Sequence, residues 1–186
     1  MWFDLRDKEE LKKLRDKLAS EPSCTKEQVE QIYKNIVTKA KKLYGVDIDT
    51  EPVWDTLPNK VRAFAYYHLL EQRIHLIGDW LLCNGKTFAE EICAHEIAHA
   101  VQHIRWGQTD HCRHFNSIWE NLLGREHNSD IFNFERVPTY YRYITECPRC
   151  NIITPYRSKP RRKEVTCRLC KNRFNVQENL IENKVT

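Results

Sequence analysis

TFAEEICAHEIAHAVQHIRWG, running from Thr87 to Gly107, decides how this chain is read. Thr87 and Glu90 have the spacing of a capping box, and Gly107 suits a helix terminus, so the segment predicts one helix over 88–105. At 100° per residue, His95 and His99 share a face, and Glu96 stands beside them. Cys93, Ile97, Ala100, Val101 and Ile104 form an apolar stripe roughly opposite, suited to burial. In this H-E-x-x-H arrangement two imidazoles four apart can grip one zinc, and the glutamate can act as general base on a water. With 8 His and 17 Glu in 186 residues, chance supplies about 0.03 such matches, so the motif needs support from its surroundings.

Composition bounds those surroundings. A chain of 186 residues, 41% hydrophobic and 11% aromatic, suits one folded domain of ordinary size plus a small appendage. No run approaches the roughly 18 apolar residues of a membrane span, and the first residues lack the apolar core of a leader. The expectation is an intracellular protein, of cytoplasm or nucleoid (nucleus in a eukaryote), with no membrane partner and its eight cysteines reduced and open to metal. The net charge of +4 conceals a division: residues 1–146 balance at −3 and residues 147–186 at +7. A basic tail of that kind suits a nucleic-acid-facing module or a solvated surface.

Outward from the motif, Leu11, Leu14 and Leu18 recur at helical spacing before Pro22. Thr25 to Gln28 forms a second capping box, opening an amphipathic helix with Val29, Ile32, Tyr33, Ile36, Val37, Ala40, Leu43 and Tyr44 on one face until Gly45. After a Pro-containing connection (Pro52, Pro58), Val61 to Leu69 alternates like a half-buried strand, and Arg73 to Ile77 reads as a second. Past Gly107 a loop leads to a helix over Arg113 to Leu123, closed by Gly124. The organisation expected is an N-terminal helical segment (1–24), a core (25–138) and a basic four-cysteine module (139–186).

In that last module, Cys147-Pro148-Arg149-Cys150 and Cys167-Arg168-Leu169-Cys170 are two C-x-x-C knuckles 16 residues apart, the pattern of a structural zinc held by four thiolates. A unit of about 40 residues buries little apolar area, so metal must supply much of its folding free energy. Between the knuckles, Arg157, Lys159, Arg161, Arg162 and Lys163 form a basic loop suited to phosphates. Tyr141, Tyr143, Tyr156 and Phe174 can serve either as stacking platforms or as the module's small core. Cys24, Cys83, Cys93 and Cys112 read as small core residues, with Cys112 placed to modulate a neighbouring ligand.

A catalytic zinc takes three protein ligands and keeps a position open, so a third ligand must come from elsewhere. His103 lies about 12 Å along the helix axis from His95, too far to share an ion. The metzincin extension fails, because Arg105 stands where its third histidine would be. His111, His114 and Glu120 remain.

His95-Glu96-Ile97-Ala98-His99 followed by His111-Cys112-Arg113-His114-Phe115 resembles the SprT-like zinc metallopeptidases, the group that includes Spartan. Their pattern is HExxH and then, a dozen or so residues on, a third histidine in H-G-x-x-[FW]. The match keeps His111 and Phe115 and departs at Cys112, where the family has glycine. It spans about residues 25–175. The resemblance implies His111 as third ligand, Glu96 as catalytic base, and an α+β fold: a minimal zincin core of helices on a short sheet, with a C-terminal zinc ribbon. It implies two zinc ions per chain, one catalytic and one structural. It also implies cleavage of DNA-associated proteins or DNA–protein crosslinks, with DNA as partner; a monomer is the favoured state. An extended substrate would pair with the strand at Arg73 to Ile77. Two other readings are a nucleic-acid-binding zinc protein without proteolysis and a repressor-cleaving regulatory peptidase using Glu120.

Overall fold

The computed structural model describes residues 8–55, 63–133, 138, 141–150, 152–167 and 170–183. The fold is α+β with small sheets.

Helices α1 (Lys8–Ser20) and α2 (Lys26–Tyr44) come first. The predicted box opens α2: Gln28 N–H donates to the Thr25 hydroxyl (3.3 Å), and Thr25 N–H donates to Gln28 Oε1 (2.8 Å). Gly45 closes the helix with φ 66°, a left-handed conformation open to glycine, and donates to the Lys41 carbonyl. Val29, Tyr33, Ile36, Val37 and Ala40 are buried; Leu43, in the last turn, is exposed.

Strands β1 (Val53–Asp55), β2 (Ala65–His68) and β3 (Arg73–Ile77) form a sheet in the order β1-β3-β2, β1 parallel and β2 antiparallel to β3. β1 lies where the sequence suggested only a connection, since three residues after Pro52 are too few to show a period. The strand predicted over 61–69 is shorter. Val61 and Arg62 lie outside the described residues, and Phe64 occupies a bend that frees its ring from the strand alternation. That ring packs edge-on against Trp80 and Phe88, both at 5.2 Å. β3 is the central strand with both edges paired, so it has no free edge for a substrate chain. That expectation is corrected; β2 is an edge strand.

A short helix not foreseen from sequence, α3 (Gly78–Cys83), leads into α4 (Lys86–Trp106). The predicted Thr87 box does not cap α4. The helix starts earlier, with Gly85 as N-cap, and Thr87 instead gives its N–H (2.9 Å) and its hydroxyl to the Glu21 carboxylate. A tertiary cap thus replaces the local one, and a carboxylate near a helix N-terminus is electrostatically favoured.

α4 packs against α2, β2, β3 and α5 (Arg113–Leu123), which Gly124 closes at φ 77°, and against a 3₁₀ turn at Ser129–Asn133. It is therefore buried nearly all round, including Cys93, Ile97, Ala100 and Val101 of the predicted stripe. Ile104 departs from that stripe at 39% exposure, in a last turn whose residues reach solvent.

The C-terminal part is a three-stranded antiparallel sheet of β4 (Tyr143–Glu146), β5 (Ile153–Tyr156) and β8 (Leu180–Glu182), order β5-β4-β8, plus a hairpin of β6 (Glu164–Thr166) and β7 (Arg173–Asn175). Arg15 of α1 bonds Glu146 of β4 at 3.0 Å, and the Tyr141 ring lies 5.6 Å from that of Trp80. No helix among the described residues is long and apolar enough to cross a membrane.

Candidate metal centres

His95 and His99 project from the middle of α4, one turn apart. Gly107, at φ 67°, ends the helix, and the following loop turns back to bring in His111. The Nε2 atom of His111 lies 3.1 Å from Nε2 of both His95 and His99. Phe115, on the first turn of α5, is fully buried beneath all three rings, with centroids 5.0, 4.4 and 4.8 Å from those of His95, His99 and His111. Its spacing from His111 thus has a packing reason.

The donor chemistry fits a cation. Three imidazole nitrogens face one another, while Nδ1 of His95 and of His99 is buried with no hydrogen-bond partner among the described residues. Without an ion, lone pairs oppose lone pairs, or a proton occupies a site that penalises charge. Burial, reinforced by the neighbouring imidazoles, holds His95 down at about 3 and His99 down at about 4. Both rings are therefore neutral and available as ligands near neutral pH. The three histidines could hold a metal ion, and three imidazoles suit zinc and its late divalent neighbours alike.

Glu96 is buried at 8% exposure. Burial raises its carboxyl to about 7, opposed by a hydrogen bond from the backbone of Tyr67 on β2. That contact puts the strand beside the general-base position of the motif.

The other candidates are engaged elsewhere. His103 Nδ1 lies 3.0 Å from the Tyr67 hydroxyl, His114 packs edge-on against Trp106 at 4.0 Å, and Glu120 accepts from His127 Nδ1 at 2.9 Å. Sequence reasoning missed Tyr67, Gln102 and Asp110 around the site. Only Gln102 left a trace, as an uncharged polar residue in the motif helix three positions past His99.

The four cysteines of the two knuckles form a second group, following β4 and β6 and preceding β5 and β7. Cys147 and Cys170 sulfurs are 3.6 Å apart, and those of Cys150 and Cys167 3.5 Å. Backbone bonds shape each knuckle, from Cys147 N–H to Ile152 O (2.9 Å) and from Cys167 N–H to Asn172 O (2.8 Å). All four thiols are free of disulfides, and the cluster could hold a metal ion. A thiolate set of this kind suits zinc or iron.

In the basic loop, Lys159, Arg161, Arg162 and Lys163 are exposed. Arg157 is half-buried, its guanidinium 5.6 Å from the Tyr141 ring centroid. Arg162 and Arg173 line a groove of about 600 Å³ with Thr154, Tyr156, Thr166 and Phe174. Phe174 is itself buried at 8% exposure, so its ring belongs to the small core.

No family model matches this chain, and neither curated proteins nor solved structures provide a match.

Proposed function

We propose that the chain is a zinc-dependent endopeptidase of the SprT type, with a zincin core and a C-terminal zinc ribbon, acting on DNA-associated proteins or DNA–protein crosslinks. The observation that carries the reading is the convergence of three imidazoles, from His95, His99 and His111, beside Glu96, which is buried on the helix of the first two. Zinc held there would supply the Lewis acidity that makes water nucleophilic near neutral pH. Glu96 takes a proton from the water as its oxygen attacks the peptide carbon, then delivers it to the departing amine as the C–N bond breaks. An extended substrate lies along β2, an edge strand of the sheet, where main-chain pairing would make cleavage tolerant of sequence. The exposed cations at Lys159, Arg161, Arg162 and Lys163 support recruitment to DNA phosphates.

The regulatory peptidase with Glu120 as ligand finds no support in the geometry, because Glu120 is bonded to His127. The decisive experiment combines metal content per chain with cleavage of a DNA-bound protein, with and without DNA, for the native chain and Glu96→Gln. Two zinc ions in both proteins with hydrolysis only in the native chain is the expected result. Undiminished cleavage by Glu96→Gln, or one zinc per native chain, rejects the reading.

A further inference from the structure

The loop that delivers His111 is poorly anchored by apolar contacts. Residues 104–111 are all exposed, Gly107 starts the turn, and besides the His111 ring on Phe115 only the half-buried Cys112 packs against the core before α5 begins. Yet the position of His111 determines whether three nitrogens meet. One side chain spans this gap. Gln102 is completely buried on α4, one turn past His99, and its Nε2 donates to Asp110 Oδ1 at 2.8 Å and to Cys112 Sγ at 3.4 Å. These acceptors are the residues on either side of His111.

This amide has a cost in the core, because its own Oε1 is buried without a partner among the described residues. An apolar residue would fill the same place without that cost. What Gln102 adds is the link between the rigid helix carrying two ligands and the exposed loop carrying the third.

We infer that Gln102 is the positioning residue for His111: by holding Asp110 and Cys112 it pre-sets the loop, and so sets the affinity of the three-histidine site for its metal. The inference rests on that group binding a divalent cation, and it is independent of whether the chain cleaves proteins. A ligand present in the competent position for only a fraction of the time weakens apparent affinity by that fraction, and the loss of a residue supporting a metal ligand typically costs about 10–100-fold.

Zinc affinity of the full-length chain, measured by chelator competition, tests it. Gln102→Glu keeps the size of the side chain and replaces the donor with an acceptor facing Asp110. It should weaken the histidine site about 10–100-fold and leave the four-cysteine site unchanged. Asp110→Ala alters the exposed end of the same bond, so it decides the matter even if Gln102→Glu does not fold. The same loss is expected there. In Gln102→Glu combined with Asp110→Asn the donor and acceptor are exchanged, and affinity should recover to within a few-fold of native, which a purely space-filling role for Gln102 does not predict. Native affinity in Asp110→Ala, or a double variant no tighter than Asp110→Ala, overturns the inference. A native chain with no zinc on the histidines overturns it together with the peptidase reading, whereas tight Gln102-dependent zinc without hydrolysis rejects only the latter.

Discussion

The Glu21 carboxylate caps α4 by accepting both the backbone N–H and the hydroxyl of Thr87, 66 residues away in sequence. The residue just after α1 thereby holds the start of the helix that carries His95, Glu96 and His99. Glu21→Ala should lower stability by about 1–2 kcal/mol, the usual cost of a lost N-terminal cap. Gly85→Ala should cost at least as much, because a Cβ there would lie 2.5 Å from Glu21 Cβ and Oε2. Denaturant unfolding of the metal-loaded chain measures both, and an unchanged midpoint for Glu21→Ala refutes the cap.

The arrangement of imidazoles predicts which variants lose an ion. His111→Ala should retain one zinc of two. His103→Ala, His114→Ala and Glu120→Ala should retain both, since His103 and Glu120 are bonded to Tyr67 and His127 and His114 packs edge-on against Trp106. Metal analysis after gel filtration reads the count, and a one-ion Glu120→Ala would put the third ligand on α5.

Phe115 is the common floor of the three imidazoles, so its truncation should act on both stability and metal. Phe115→Ala should cost about 3–5 kcal/mol, as for large-to-small changes in a packed core. Phe115→Leu should cost less and hold zinc more tightly than the alanine variant. Equal zinc affinity in native, leucine and alanine chains would mean that the floor does not orient the ligands.

Glu91 is fully buried against Arg125, their side chains 2.5 Å apart. Burial lifts its carboxyl above the ordinary range even though Arg125 pulls the other way. The folded chain therefore holds this proton more tightly than the unfolded chain does. The resulting stability is fully present below the unfolded carboxyl value and is lost as pH rises through the folded one. The stability of the native chain relative to Glu91→Gln should accordingly fall as pH rises above about 4. A relative stability that rises over this range would mean that the Arg125 ion pair outweighs burial.

DNA affinity should reside in residues 147–186 and fall on the order of tenfold or more between about 50 and 200 mM salt, as phosphate contacts release counterions. Charge reversal at Arg161, Arg162 and Lys163 should weaken binding without emptying either metal site. Arg157→Ala should do less, because that guanidinium sits on Tyr141. A salt-independent affinity would reduce the loop to a solvated surface.

Several features were legible in the sequence because they depend on neighbours only a few residues away. Helical period alone puts His95 and His99 on one face, and the Thr25 box and the glycines at 45, 107 and 124 mark helix ends through local backbone chemistry. Close spacing likewise pairs Cys147 with Cys150 and Cys167 with Cys170. Contacts between distant segments were not legible. Thr87 has a capping-box pattern, yet Glu21 from α1 takes its hydrogen bonds, because a tertiary acceptor reached the helix start. Arg73–Ile77 reads as a strand, but its central place follows from β1, whose three residues carry no period. His111, His114 and Glu120 were all open as ligands. Only the fold of the 107–112 loop, tied to α4 by Gln102, brings His111 nitrogen to the two on the helix. Local periodicity determines which way a side chain faces on its own element; which other segment it meets depends on packing that only the whole chain supplies.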